Sequence, residues 1–231
     1  MTQMGFYYDS GRPVVIDPQI ILDDVLSKLP VTKNDVILDV GCGTGTITIP
    51  LAKHCQFICA LDAGAKVIEK AKLRCQQENV TNIAYYLGSA LKLPFGQNSF
   101  DHVLMFGVIH AFENEEEAKQ SVCQLVRVCK PGGRILIADI PDTLVRQEFE
   151  QRQKTPEEMR LINEFNANRL EYDRQHKEHV HKDPSITNLV LDCADIVAYG
   201  EKLGCQGSIV RQDIRQPMSL TRRDVVLIKN K

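Results

Sequence analysis

No segment of the chain reaches the roughly 18 consecutive apolar residues that a membrane-spanning helix needs. Residues 1–18 hold no long apolar run of the kind a secretory signal carries. Both absences point to the cytoplasm. C-x-x-C pairs are also missing, although eight cysteines are present, so no iron–sulfur or zinc module of that kind is indicated. In a 231-residue chain without a signal, the cysteines read as reduced and mostly packed. A disulfide framework is the alternative. An excess of charge is lacking too: 28 Lys and Arg stand against 30 Asp and Glu, a net of -2, with no basic tract. That removes the electrostatic argument for nucleic acid or an anionic membrane surface. No repeat of 20–50 residues and no low-complexity segment is visible, which sets solenoids and arrays aside.

What is present is ordinary globular material, 43% hydrophobic and 25% charged, enough to build one sizeable core. Asp17-Pro18 reads as a helix start, with Asp as N-cap and Pro at the first helical position. Ile21, Val25 and Leu29 then form one apolar face, and Pro30 stops the helix. The polar and aromatic stretch before it, Phe6-Tyr7-Tyr8-Asp9-Ser10-Gly11-Arg12, is expected to be an arm or loop. From residue 35 short apolar strands (36–40, 57–61, 83–87, 101–106 and 134–139) alternate with helical segments (47–55, 66–78 and 115–129). The third of these helices is expected to stop at a Lys130-Pro131-Gly132-Gly133 turn. Near-continuous apolar strands alternating with helices imply a parallel sheet covered on both faces. Residues 143–190 break the alternation. They are charged and helical in pattern, with Ile162, Phe165, Arg169 and Tyr172 on one stripe. A helix (193–203) and two strands (208–214 and 224–229), expected to pair antiparallel at the sheet edge, complete the chain.

The strongest chemical signal is Asp39-Val40-Gly41-Cys42-Gly43-Thr44-Gly45, directly after a strand and before a helix. Alternate glycines there make a tight turn and let a ligand approach the backbone. The third glycine comes one residue early for the dinucleotide fingerprint, and Thr46 stands where that pattern wants Gly. A carboxylate at Asp39 would repel a pyrophosphate and suits a cofactor carrying positive charge. The alternative is that Asp39 caps the following helix or orders the loop. Asp62 ends the second strand, where an acidic side chain accepts hydrogen bonds from ribose hydroxyls in doubly wound nucleoside-binding folds.

These residues resemble the class I (Rossmann-like) S-adenosylmethionine-dependent methyltransferases, in the broad branch acting on small molecules. The resemblance covers residues 36–139. It rests on Leu38 to Gly45, Leu61-Asp62-Ala63, Gly88-Ser89-Ala90-Leu91-Lys92-Leu93-Pro94-Phe95, Phe100-Asp101 to His110, and Leu125 to Gly133. It implies an α/β, doubly wound, seven-stranded sheet, mostly parallel with an antiparallel last strand, plus a helical insertion after the fifth strand. One domain is expected: an N-terminal arm and helix (1–34), a cofactor-binding core (35–140), the insertion (143–190), expected with the Phe6-Tyr7-Tyr8 arm to cover the pocket or build a dimer contact, and a closing helix with two strands (191–231). It assigns S-adenosylmethionine binding to Asp39, Gly41, Cys42, Gly43, Gly45, Asp62, Ala63, Ser89, Ala90 and Phe106. Ser89 departs from the usual Asp of that block, so adenine would be held by a hydroxyl, a water or the backbone of Ala90.

The expected activity is transfer of a methyl group to an oxygen or nitrogen of a small-molecule acceptor, a sugar or another metabolite. A protein or RNA acceptor, or a non-catalytic S-adenosylmethionine-binding module, are the alternatives. The Asn/Asp-Pro-Pro-aromatic motif common in members that methylate adenine or glutamine amides is absent after the fourth strand. His110, following that strand, is the candidate general base, with a pocket-wall role as the alternative. The cluster His176, His179, His181 and Asp183 matches no closed zinc site and reads as a solvated helix end, so no metal is expected.

Overall fold

A computed structural model describes residues 4–8, 12–175, 189–216 and 218–231. The expected N-terminal arm is a β-hairpin: β1 (Met4–Tyr8) pairs antiparallel with β2 (Arg12–Ile16), Phe6 opposite Val14. The physical reason is in the flanks. Aromatic residues on one side of Asp9-Ser10-Gly11 and β-branched residues on the other favour extended chain, and the polar tripeptide between them is turn-forming. Helix α1 (Pro18–Lys28) starts as expected, the Asp17 side chain accepting from the Gln19 amide.

The main sheet is built from β3 (Val36–Val40), β4 (Phe57–Asp62), β5 (Ile83–Leu87), β6 (Phe100–Phe106), β7 (Cys129–Pro141), β8 (Cys205–Val210) and β9 (Arg222–Lys229). Their spatial order is β5-β4-β3-β6-β7-β9-β8. The first five run parallel, and β9 is antiparallel to both neighbours. The last two strands do pair antiparallel at the edge, with β9 inside and β8 outermost. Their starts differ from the sequence reading, β8 beginning three residues earlier and β9 two. Backbone pairing recruits Cys205 and Arg222 where hydropathy alone places no boundary.

Helices α2 (Thr48–Ala52), α3 (Ala65–Gln77), α4 (Glu115–Val128) and α7 (Cys193–Lys202) connect and cover these strands. The predicted Lys130-Pro131-Gly132-Gly133 turn lies inside β7 as a bulge. Phe100 pairs with Cys129 and His102 already with Arg134, while Gly132 takes φ +80°. Glycine and proline loop out there without ending the pairing. Alternation along the strands explains the two cores. Leu38, Val103, Met105, Ile135 and Ile137 face α4 and α7, whereas Ile37, Leu104 and Leu136 face α1 and α2. Full burial of such side chains contributes about 1.5–3 kcal/mol each.

Two helices, α5 (Thr143–Gln151) and α6 (Pro156–Gln175), follow β7. Strand β2 of the hairpin packs against α6. The side chains of Phe165, Arg169 and Tyr172, and the whole cluster His176, His179, His181 and Asp183, lie outside the described residues. Among the described residues no helix is long and apolar enough to cross a membrane, and no three potential ligands gather around a metal position. All eight cysteines are free thiols, seven buried and Cys123 half-buried.

Candidate active site

The carboxyl ends of β3, β4, β6 and β7 open into a cleft of about 600 Å³. That lies within the roughly 300–1,000 Å³ of small-molecule pockets. Its position at the strand order reversal is where ligands bind in open α/β sheets.

Three glycines carry the turn out of β3, with φ of +77°, +53° and +80° at 41, 43 and 45. The amides of Gly41 and Cys42 both donate to the Leu61 carbonyl, which clamps the turn onto β4. A Cβ on Gly41 would sit 2.1 Å from Val108 Cγ2, so only glycine fits there. A Cβ on Gly43 would meet nothing within 4 Å. Its open side is the room a ligand needs to approach the backbone. Gly45 is not at the cleft wall. A side chain there would press on Ile49 at 2.9 Å, so this glycine serves the packing of the turn on α2.

Asp39, 3% exposed, accepts a 2.5 Å hydrogen bond from Thr48, the first residue of α2. It therefore orders the loop while lining the cleft. Burial pushes its carboxyl up to about 6, against the Thr48 hydrogen bond, and the neighbouring Asp62 adds to the rise. Asp62 holds the turn from the other side, its two oxygens accepting from the amides of Gly43 at 2.9 Å and Gly64 at 2.8 Å. Cys42 and Ala63 also line the cleft; burial first, then Asp39 and Asp62, push the Cys42 thiol far above its ordinary value, so it is neutral. Ser89 and Ala90 form the rim beyond β5, with Ser89 Oγ accepting from the Leu91 amide. Of the eleven residues singled out from sequence, ten line one cleft and Gly45 stands behind it.

The other half of the cleft is built by Phe106, Gly107, His110 and Asp139. Sequence reasoning missed Asp139. It ends the strand segment expected at 134–139, and its position at a carboxyl end was the available signal. It is 1% exposed and takes φ +63°, uncommon for a residue other than glycine. Its amide donates to Asp224 and its carboxylate accepts from Gln212 and Arg222. Behind it runs a buried polar network: Lys28 bridges Asp24 and Asp224, and Gln216 donates to Asp24. Burial raises the Asp224 carboxyl and Lys28 opposes the rise. Arg222, 1% exposed, sits behind both Asp139 and His110, with Nη1 3.5 Å from His110 Nδ1.

The doubly wound sheet, the glycine turn and the acidic residue ending β4 define a Rossmann-like α/β fold. A family model described as a methyltransferase domain matches residues 38–137. Over 111 residues the chain is 32% identical to the demethylmenaquinone methyltransferase of Tropheryma whipplei, an alignment covering 48% of this chain and 44% of that one. Over 147 residues it is 30% identical to the uncharacterized methyltransferase YcgJ of Bacillus subtilis, covering 59% and 57%. The crystal structure of YcgJ superposes with a TM-score of 0.63 at 18% identity, over 91% of this chain and 98% of that one. The magnesium protoporphyrin IX methyltransferase of Synechocystis, solved with bound SAH, superposes with a TM-score of 0.64 at 17% identity, over 92% and 83%. The chain spans about half the length of the curated relatives it matches. Residues 38–137 thus match a methyltransferase-domain model, and the whole chain shares its fold with solved methyltransferases.

Proposed function

We propose that this protein binds S-adenosylmethionine in the cleft and transfers its methyl group to an oxygen or nitrogen of a small-molecule acceptor. One observation carries the reading: the open backbone at Gly43 shares one cleft with two carboxylates, Asp39 and Asp62. A nucleotide phosphate would meet repulsion there, whereas a cofactor with a sulfonium and an ammonium is attracted. Gly41, Cys42 and Gly43 would face the amino-acid portion, Asp62 and Ala63 the ribose, and Ser89 and Ala90 the adenine. When bound, the cofactor supplies a methyl on positively charged sulfur and a neutral thioether leaving group.

The protein's task is then to hold the acceptor in line, and such positioning contributes roughly 7–11 kcal/mol. Phe106 and His110 stand at the acceptor end. The insertion is rooted on this rim: the Leu189 amide donates to the His110 carbonyl and the Thr143 amide to the Leu191 carbonyl. We assign residues 143–190 the role of lid over the acceptor. None of the described side chains of α5 lines the cleft. Val145 and Phe149 of α5, with Arg152 just past its end, instead enclose a second cavity of about 220 Å³ with the loop between β8 and β9. Calorimetry with S-adenosylmethionine and with NAD tests the cofactor. Binding of the first is expected, and binding of NAD alone would sink the reading. The acceptor is sought by following methyl transfer into metabolite extracts. Strong, salt-sensitive binding to RNA would count against a small acceptor.

A further inference from the structure

We propose that the second cavity, between α5 and the β8–β9 loop, binds a small organic anion: a carboxylate or phosphate head on an apolar body of a few carbons. Successive residues of a strand point to opposite faces. Arg222 turns into the buried network around Asp139, whereas Arg223, the next residue of β9, lines the second cavity. Three arginines and two glutamates line that cavity, an excess of one positive charge. Arg152 is committed to Glu158, which accepts from both Nη1 and Nη2. Arg211 and Arg223 form no ion pair among the described residues.

Arg223 is half-buried and already held in place. Its Nη1 donates to the carbonyls of Ser219 at 3.2 Å and of Arg222 at 2.7 Å. No described residue accepts from its Nε or Nη2. Those two nitrogens form an edge of the guanidinium whose parallel N–H bonds grip a carboxylate or phosphate bidentately. Burial lowers the pKa of Arg223 and the neighbouring Arg211 lowers it further, while Asp142, Cys193 and Glu148 oppose the fall. A guanidinium cannot shed its charge. Two of them at one cavity therefore favour an anion inside it.

The rest of the lining sets the body of the ligand. Val145, Phe149, Ile214 and Leu220 are apolar, and Ile214 is 46% exposed. An inorganic ion leaves that surface wet, whereas a short hydrocarbon chain covers it. At about 220 Å³ the space lies below the roughly 300–1,000 Å³ of pockets for drug-sized ligands, so it suits a short-chain acid or its phosphate counterpart. The cavity shares no lining residue with the cleft. Gln212 stands between the two, lining the second cavity while donating to Asp139. A bound anion ties α5, the first helix of the insertion, to the β8–β9 loop.

The test is Nε–Hε correlation spectroscopy on the full chain labelled with ¹⁵N-arginine, titrated with sodium butyrate, butyl phosphate and acetate. Sodium chloride at matched ionic strength is the control. The Arg223 signal is assigned by its loss in Arg223→Gln. If that variant does not fold, the Arg211 signal, assigned by its loss in Arg211→Gln, carries the same titration. A saturable shift is expected with butyrate or butyl phosphate and none with chloride; the tighter of the two identifies the head group. Butyrate should bind about tenfold more tightly than acetate, because two more methylenes are buried. Arg211→Gln removes an exposed guanidinium and should weaken butyrate or butyl phosphate about tenfold, the worth of one hydrogen bond to a charged group. The proposal is overturned if neither probe gives a saturable shift, if chloride gives the same one, if acetate matches butyrate, or if Arg211→Gln binds as the wild type does. S-adenosylmethionine takes no part in the measurement, so its failure to bind would leave this inference standing.

Discussion

The two halves of the cleft are built on different principles. The half around β3 and β4 is backbone work: glycines 41, 43 and 45 turn the chain, and one carbonyl and one carboxylate 19–20 residues away hold it. The half around β6, β7 and β9 is side-chain work. It depends on partners far along the chain: Asp139 meets Asp224 across 85 positions and Arg222 meets His110 across 112. The first half tolerates little change of shape. The second tolerates little change of charge, because a buried ion left unpaired is more damaging than a pair removed whole.

Breaking the charged half should give the largest effect. Arg222→Met leaves Asp139 without its guanidinium at a buried site, and the expected loss of stability is about 3–5 kcal/mol in chemical denaturation. Adding Asp139→Asn should recover more than half of that loss. Additive losses in the double variant would show that the two side chains do not act as a pair.

Shape is tested at Gly41. Gly41→Ala places a Cβ 2.1 Å from Val108 and forces alanine to φ +77°. Overpacking of about 1–3 kcal/mol and left-handed strain of about 1–2 kcal/mol should together lower stability by about 2–5 kcal/mol. Gly43→Ala, in open space, should show only the strain, with S-adenosylmethionine binding lost. Equal destabilisation of the two variants would refute the division between a packed and a ligand-facing glycine.

Asp39 lies where shape and charge meet. Its folded pKa of about 6 lies above the unfolded value of 3.8, so the fold disfavours its ionisation. That penalty is absent below about pH 4, accumulates between pH 4 and 6, and is complete above 6. Asp39→Asn should therefore stabilise the ligand-free protein at pH 8, by at most about 3 kcal/mol for a shift of roughly two units. The same variant should weaken S-adenosylmethionine binding. In the wild type, affinity should rise with pH between 5 and 7 as the carboxylate forms. Thermal melts and calorimetry across that range check both signs, and a pH-independent affinity would remove Asp39 from the cation site. The smallest effect is expected at Asp62. Asp62→Ala should weaken cofactor binding by about 1–3 kcal/mol in calorimetry, the range for leaving hydrogen-bonding groups unpaired.

The legibility of the two halves follows the same division. Alternating apolar strands and helices were readable because burial on both faces leaves a local imprint in β3, β4, β6 and β7. Ten of the eleven residues singled out from sequence share one cleft because strand-end chemistry is local. In sequence the hairpin reads as an arm or loop because two short strands carry too little periodicity to separate them from polar loop. The bulge was read as a turn because Pro131 and Gly132 mark a break in local conformation and say nothing about whether pairing resumes.

The sequence by itself determined the class of sheet, the glycine turn and the two carboxylates that flank it, since each depends on residues close together in the chain. Tertiary structure decided the insertion of β9 between β7 and β8, and with it the arrival of Arg222 behind His110 and Asp139. The physical reason is that an antiparallel strand can pair wherever an open edge accepts its amides and carbonyls. Its own residues record that it is a buried strand, but not which strand it lies beside.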